Sequence, residues 1–149
     1  MKPSTSTHGE LARRAVTVKN EGGGSSDGQV MFVDLIRQGA LKWDNPSRKW
    51  VGANGFTRMW DSCSSTVSGH RPCERQRALV ADSSLARSQQ PFLRSTDTYQ
   101  VVTYDDPDSL SLKAQFARQK GLGGVGSWDL HGDNQAWDLL TALRNGLGI

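Results

Sequence analysis

Apolar residues in the segment DGQVMFVDLIRQGAL, from Asp27 to Leu41, recur with the spacing of an amphipathic helix. Ser26 or Asp27 can offer a side-chain oxygen to the first free amides of such a helix. Gly39 can adopt the left-handed backbone that ends it. The pattern therefore predicts a helix with a physical mechanism at both ends.

The pattern changes between Lys42 and Ser65, where short aromatic segments alternate with turn residues. The dipeptides Asn45-Pro46 and Asn54-Gly55 favour tight turns, and the segments around them have the length of short strands. The segment TYQVVTYDD is strand-like as well, and a short AVTV further upstream favours an edge strand. We therefore expect small strands joined by turns.

Helix signals return at Asp106, which can cap a helix with Pro107 at its first position and good helix propensity from Asp108 to Lys120. The next run, GLGGVGSWDL, is short, apolar and rich in small residues, which is typical of a parallel strand buried on both faces. The closing segment NQAWDLLTALRNGLG has helical spacing, which places Trp137 in the core and makes Gly146 a candidate cap. The order helix, buried strand, helix predicts an α/β fold.

Residues 67–90 interrupt this pattern, because they show neither helical nor strand period and contain many serines and arginines. We predict a loop or a disordered stretch there. Four arginines against Glu74 and Asp82 give this segment a net charge of +2 out of the +3 of the whole chain. The pI near 9.1 therefore reflects a solvated segment more than a surface for an acidic partner.

Several classes of function are disfavoured by what the chain does not contain. Its basic residues are not interleaved with aromatics, so no nucleic-acid partner is expected. No apolar run approaches the roughly 18 residues of a membrane-spanning helix, so no membrane partner is expected. The first residues, MKPSTSTHGELARR, have no apolar stretch after their charges, so no export signal is expected. The histidines and cysteines form no zinc spacing, so we expect no metal and no cofactor. Nothing beyond the presence of two cysteines supports a disulfide between Cys63 and Cys73.

Two glycine motifs match known fingerprints by letters and not by context. GLGGVG at 121–126 fits a dinucleotide-binding motif, yet it follows a helix and enters the predicted strand. GSSDG at 24–28 fits a nucleophile elbow, yet no strand precedes its serine. Among the acidic residues, Asp106 is best explained as a helix cap, and Asp133 as a turn or cap residue.

Trp128 stands at the carboxyl end of the predicted strand, among Ser127, Asp129 and His131. Ligands of α/β folds bind at such strand ends. A flat apolar ring with polar neighbours suits the weakly polar face of a sugar. A lone tryptophan in a strand is equally typical of a core, so the pattern leaves both interpretations of Trp128 open.

The segment VVTYDDPDSLSLKAQFARQKGLGGVGSWDLHGD resembles the closing part of family 18 glycoside hydrolases, the chitinases. In that family a Y-D-D-x-x-S-x-x-x-K stretch starts the last helix before strand eight, and G-G-x-x-x-W ends that strand. The matching positions are Tyr104, Asp105, Asp106, Ser109, Lys113, Gly123, Gly124 and Trp128. The segments GQVMFVDLIRQGAL, GFTRMWDSCSST and PFLRS resemble the section between strands seven and eight of fungal-type members.

The resemblance implies an α/β fold that forms the end of a (β/α)8 TIM barrel, with its last strand and helices. It also implies a small inserted α+β subdomain at 42–103, interrupted by the irregular segment 67–90. The implied partner is chitin or an N-acetylglucosamine oligosaccharide, with Trp128 as the floor of the sugar site. Beyond the resemblance, we also expect Asp129, at the end of the predicted strand, and Trp60 to bind the substrate. The parent protein is expected to be secreted.

The implied reaction is hydrolysis with retention, in which the acetamido group of the substrate attacks the anomeric carbon and a glutamic acid protonates the leaving oxygen. That acid lies in a D-x-x-D-x-D-x-E motif at strand four of the family, and this spacing does not occur in the 149 residues. Loss of such a proton donor removes a factor of about 10² to 10⁴. No catalytic residue is therefore assigned, and the chain alone is expected to be inactive.

A last barrel strand without neighbours has two unpaired edges, and the hydrophobic share of 36% leaves little for a core. We therefore expect a carboxyl-terminal chitinase-like fragment, marginally folded or prone to aggregate. The rival hypothesis is a small non-catalytic carbohydrate-binding or interaction module that uses Trp128 and Trp60.

The composition break at 67–90 coincides with a break in the resemblance, since removing these residues restores a continuous SCSSTPFLRS. Val67-Ser68 can be encoded by GTGAGC, Ala81-Asp82 by GCTGAC and Gln90 by CAG, which have the form of an intron donor, branch point and acceptor. We hypothesise a translated, unremoved intron. The alternative is a natural surface loop, which costs little in closure entropy.

Overall fold

The computed structural model describes residues 15–21, 28–61 and 90–149. A short 3₁₀ turn at Leu130–Gly132 precedes the last helix. In chain order the described helices and strands are α1 (Phe32–Arg37), β1 (Leu41–Asp44), β2 (Lys49–Gly52), β3 (Phe56–Asp61), β4 (Gln90–Ser95), β5 (Gln100–Thr103), α2 (Pro107–Gln119) and α3 (Asp138–Leu147). Within these ranges, no helix has the length and apolar character needed to cross a membrane.

The strands form two small antiparallel sheets. β1 and β2 make a hairpin in which Trp43 lies opposite Trp50, and β3, β4 and β5 follow one another as a three-stranded meander. The turn before β3 places Asn54 and Gly55 at φ values of 48° and 92°, a left-handed backbone that asparagine and glycine tolerate best. The predicted short strands and turns at both dipeptides are confirmed.

The main core lies between α1 and the two sheets. β4 contributes Leu93 to it and buries Pro91 and Ser95 on the same face, because alternate residues of a strand point to the same face. Partly buried side chains, among them Trp50 and Leu139, pack around this core. Its buried members are Val18, Phe32, Leu35, Ala40, Leu41, Phe56, Leu93 and Tyr104.

Helix α2 begins as the sequence predicts. The Asp106 side chain accepts a hydrogen bond from the Ser109 amide at 3.0 Å, and the Ser109 hydroxyl accepts one from the Asp106 amide at 2.9 Å, which completes a capping box. One face of α2, with Ala114 and Ala117 buried, packs against α3. A Cβ atom at Gly146 of α3 would lie 2.6 Å from the Ala114 Cβ, so the two helices are in close contact.

Helix α1 is shorter than predicted. It begins at Phe32, and its N-cap Met31 supplies no side-chain hydrogen bond, while Ser26 and Asp27 lie outside the described residues. The Glu21 amide donates to the Gln29 carbonyl at 3.1 Å, and Gly28 has a φ of 108°, so Gly28 and Gln29 are not helical. The expected AVTV edge strand is also absent among the described residues, where Val16 makes a single backbone bond to Asn54.

The prediction of a buried parallel strand at 121–130 is wrong. These residues are exposed, and those before the 3₁₀ turn have no helical or strand structure. A strand requires a neighbour for its amides and carbonyls, and no described strand pairs with this segment. All described strand pairs are antiparallel, whereas the strands of a TIM barrel are parallel, so the assignment of this chain to the end of such a barrel stays a prediction. The bounds of the 42–103 subdomain stay a prediction as well.

Two expectations about α3 are also wrong. Trp137 is not in the core: it is the N-cap of α3 with a φ of 57°, and half of its surface is exposed. Ala142 and Leu143 fill the buried positions instead. Gly146 does not cap the helix, since it lies within it, at the close contact with α2. Gly148, with a φ of 81°, is the C-cap.

Candidate functional site

An open cleft of about 1020 Å³ separates the segment 126–132 from the sheet side of the molecule. Residues 28–32 before and at the start of α1 form one wall, and residues 98–105 on and around β5 form another. Leu110, Leu139 and Leu143 line the part formed by the two long helices. The cleft thus has apolar helix residues on one side and polar loop residues around it.

Trp128 lies at the rim of this cleft, and 99% of its surface is exposed. Leu130 on the same segment and Leu122, which precedes the segment, are also more than half exposed. A solvent-exposed indole contributes almost nothing to the core, although a buried one is among the largest sources of hydrophobic stabilisation. The exposure of Trp128 therefore excludes a role in the core and leaves the interpretation that Trp128 is a contact surface.

Asp129 follows Trp128 and organises the turn after it. Its Oδ1 accepts a hydrogen bond from the His131 amide at 2.9 Å, which caps the 3₁₀ turn. Its Oδ2 lies 3.8 Å from His131 Nδ1, and its side chain is 42% exposed. One carboxylate oxygen of Asp129 is thus used to hold the turn, and the other lies near the exposed imidazole of His131.

Asp133 fixes the other end of this segment to α3. Its carboxylate accepts hydrogen bonds from the amides of Leu139 and Leu140 at 3.0 and 2.9 Å, and only 9% of the residue is exposed. These are first-turn amides that have no partner within the helix. The expectation that Asp133 is a turn or cap residue is confirmed, and Trp128 is attached to a segment held at its carboxyl end.

A charged cluster lies behind the Tyr104 wall of the cleft. Arg58 donates from Nε and Nη2 to Asp106 Oδ2 at 3.0 and 2.6 Å, and from Nη2 to Asp108 Oδ2 at 3.2 Å. Burial lowers the pKa of Arg58, but hydrogen bonding to Asp106 and its charge outweigh burial, so the pKa is raised overall. Burial, followed by the Asp106 charge, raises the pKa of the Tyr104 hydroxyl.

Trp60, the third predicted site residue, does not lie with the other two. It is half-buried on β3, with the Arg58 guanidinium 5.2 Å from the centre of its ring, and it does not line the cleft. This is cation–π geometry. The structure thus brings Trp128 and Asp129 together at one rim and gives Trp60 a contact with the charged cluster.

Sequence reasoning missed Arg58, although a signal was present. Arg58 follows the buried Phe56 by two residues on a strand and therefore points to the same face. A cation on a core-facing position requires an acidic partner. The sequence pattern gives Asp106 only the role of a helix cap, and the structure shows that it caps α2 and pairs with Arg58 at once.

An exposed aromatic ring next to a carboxylate, at the rim of an open cleft, is the type of surface that carbohydrate-active proteins present to a sugar. The described residues contain no group of three or more His, Cys, Asp or Glu side chains placed to hold a metal ion. Residues 13–133 match the family model of Glycosyl hydrolases family 18, and the chain belongs to this family.

Chitinases are found among its relatives in sequence and in structure. The chain is 42% identical over 57 residues to Chitinase B of Serratia marcescens and 24% identical over 111 residues to Chitinase A1 of Niallia circulans. These matches cover 38% and 74% of this chain, and only 11% and 12% of the two proteins. A solved chitinase from Rhizomucor miehei is similar with a TM-score of 0.53 at 25% identity, over 81% of this chain and 24% of that one.

Proposed function

We propose that this chain is the carboxyl-terminal, sugar-contacting part of a chitinase-like domain, whose parent hydrolyses polymers of N-acetylglucosamine outside the cell. One observation carries the proposal: Trp128 presents its whole ring to solvent at the rim of the cleft, beside the carboxylate of Asp129. Membership of family 18 supports the substrate class.

Trp128 stacks against the apolar face of one sugar ring, and this contact supplies most of the binding energy. Trp128 is suited to this role because its indole loses little conformational freedom on binding, having only two rotatable side-chain bonds. Asp129 accepts a hydrogen bond from a sugar hydroxyl or amide through the oxygen that does not hold the turn. Capping of α3 by Asp133 limits the movement of the segment that carries both groups.

In the parent, the acetamido oxygen of the substrate attacks the anomeric carbon while a carboxylic acid gives its proton to the leaving oxygen, and water then opens the intermediate. This chain contributes the floor of the sugar site and not the acid. Of the carboxylates that line the cleft, Asp105 is engaged by Lys113 and Ser109, and Asp129 uses one oxygen to hold the turn at His131. The D-x-x-D-x-D-x-E spacing is absent from the sequence, so the chain alone binds without turnover.

The test is a titration of the purified chain with an N-acetylglucosamine hexamer, in which binding is measured by tryptophan fluorescence and by calorimetry. Trp128→Ala is expected to abolish binding, whereas Trp43→Ala serves as the matched control, because Trp43 is also 45% exposed but does not line the cleft. The affinity of Trp60→Ala for the hexamer tests the separate prediction that Trp60 binds the substrate. Equal affinities of the wild type and Trp128→Ala would refute the role of Trp128.

A second candidate function is a small non-catalytic carbohydrate-binding or interaction module, and the absence of the family's acid motif favours it. The two proposals differ in whether upstream sequence is needed for sugar binding and turnover. A monodisperse chain that binds the hexamer through Trp128 supports the module. Aggregation of the chain, with binding and turnover only after fusion to the upstream part of a family 18 domain, supports the proposed enzyme segment.

A further inference from the structure

We infer that residues 67–90 are the translation of an unremoved intron, and that the protein that folds lacks them. The inference is independent of the proposed function, because it concerns the connection between β3 and β4 and not the cleft at Trp128. It rests on the register of these two strands, on the composition of the segment and on the amino acids at its two ends.

Strands β3 and β4 are adjacent and antiparallel, with Asp61 opposite Gln90 as their last pair. The chain therefore leaves β3 and must return to the position directly beside it. Hairpin connections are usually about 2–5 residues long. The connection here runs from 62 to 89, so its length is unusual for strands paired in this way.

Removal of 67–90 restores an ordinary hairpin. Thr66 then directly precedes Pro91 and takes the register position of Gln90, opposite Asp61. The remaining connection is SCSS, residues 62–65, which is within the usual range of hairpin lengths. Threonine is favoured in strands. Replacing Gln90 removes a long hydrogen bond of 3.3 Å from its Nε2 to the Tyr104 carbonyl, and every other described pair of the sheet is retained.

The amino acids at the two ends of the segment permit this boundary. Every valine codon begins with GT, so Val67 supplies the first two nucleotides of an intron donor. Gln90 supplies the AG of an acceptor when it is encoded by CAG and not by CAA. Because the boundaries fall between whole codons, the reading frame is the same with and without the segment.

The decisive experiment is to sequence the genomic DNA and the transcripts of this gene. We expect CAG as the codon of Gln90, a branch-point-like sequence inside the segment, and transcripts in which the codon of Thr66 is joined to that of Pro91. A CAA codon at Gln90, or transcripts that all retain the segment, would overturn the inference.

A protein experiment tests the same boundary without nucleic acid. The chain with 67–90 deleted is expected to keep the amide protection of β3 and β4 and to melt at the same or a higher temperature than the full chain. Deletion of 70–93 is the matched control: it removes the same number of residues but cuts into β4 at Leu93, which is fully buried, so it should unfold the sheet. A loss of stability on deletion of 67–90 would mean that the segment belongs to the fold.

Discussion

Arg58 of β3 and Asp106 at the amino terminus of α2 form a nearly buried ion pair, with 2.6 Å between Arg58 Nη2 and Asp106 Oδ2. Their side chains are 16% and 2% exposed. Because Asp106 also caps α2 through the Ser109 amide, one carboxylate connects the three-stranded sheet to the helix that carries the cleft-lining Leu110. Asp108 adds a second, more exposed acceptor for Arg58.

Arg58→Ala should destabilise the protein by about 3–5 kcal/mol, because it leaves the Asp106 carboxylate buried without its cation. Urea unfolding followed by circular dichroism measures this loss. Arg94→Ala on β4 is the matched control, since Arg94 is exposed, and it should change stability by no more than about 0.5 kcal/mol. Similar stability of the two variants would show that the Arg58–Asp106 pair does not support the fold.

Tyr104→Phe should be neutral or stabilising by up to about 1–3 kcal/mol, because the buried Tyr104 hydroxyl lies close to Arg58 but meets no described atom with the geometry of a hydrogen bond. Thermal unfolding near neutral pH measures the effect. Tyr99→Phe is the matched control, because Tyr99 is 94% exposed and its hydroxyl is not removed from water. A clear destabilisation by Tyr104→Phe alone would reveal a bond to this hydroxyl in solution.

The same tyrosine predicts a loss of stability in alkali. Burial raises the pKa of Tyr104 above its ordinary value of about 10, so the folded state favours the protonated form. The stabilising contribution is complete below that ordinary pKa and is lost as the pH rises above it. The free energy of unfolding should fall more steeply above about pH 10 in the wild type than in Tyr104→Phe. Parallel pH curves for the two proteins would contradict this.

Gly146→Ala should destabilise the protein by about 1–3 kcal/mol, since the added methyl group would overpack the contact between α3 and α2. It would lie 2.6 Å from both the Ala114 Cβ and the Ser111 carbonyl oxygen. Gly123→Ala is the control, because no described atom lies within 4 Å of a Cβ atom there. Chemical denaturation of both variants decides whether the α2–α3 contact is as close in solution.

The purified chain should show no chitinase turnover, because no carboxylic acid stands in the family's D-x-x-D-x-D-x-E arrangement. Release of the chromophore from a chitobiose derivative measures this, with an active family 18 chitinase as the positive control. Turnover that persists in Trp128→Ala but disappears on replacement of one carboxylate would contradict the prediction.

Local signals in the sequence were sufficient for the parts of the fold that depend on neighbours along the chain. The Asp106 cap, Pro107 at the first helical position and the turn at Asn54-Gly55 were all predicted correctly. In each case one residue's backbone preference or side-chain oxygen acts within a few residues, and that is visible in a sequence. The YDD and tryptophan motif likewise carried the family, because it is a local string of residues.

The sequence by itself thus determined the Asp106 cap, the turns at Asn45-Pro46 and Asn54-Gly55, the short strands around them and the family. Only the tertiary structure decided that Asp106 pairs with Arg58, that α1 begins at Phe32, and that Trp128 lies in solvent at the rim of a cleft. An apolar, glycine-rich run becomes a strand only if another strand satisfies its backbone. The run at 121–130 has no such neighbour among the described residues, and no pattern within the run itself reports that.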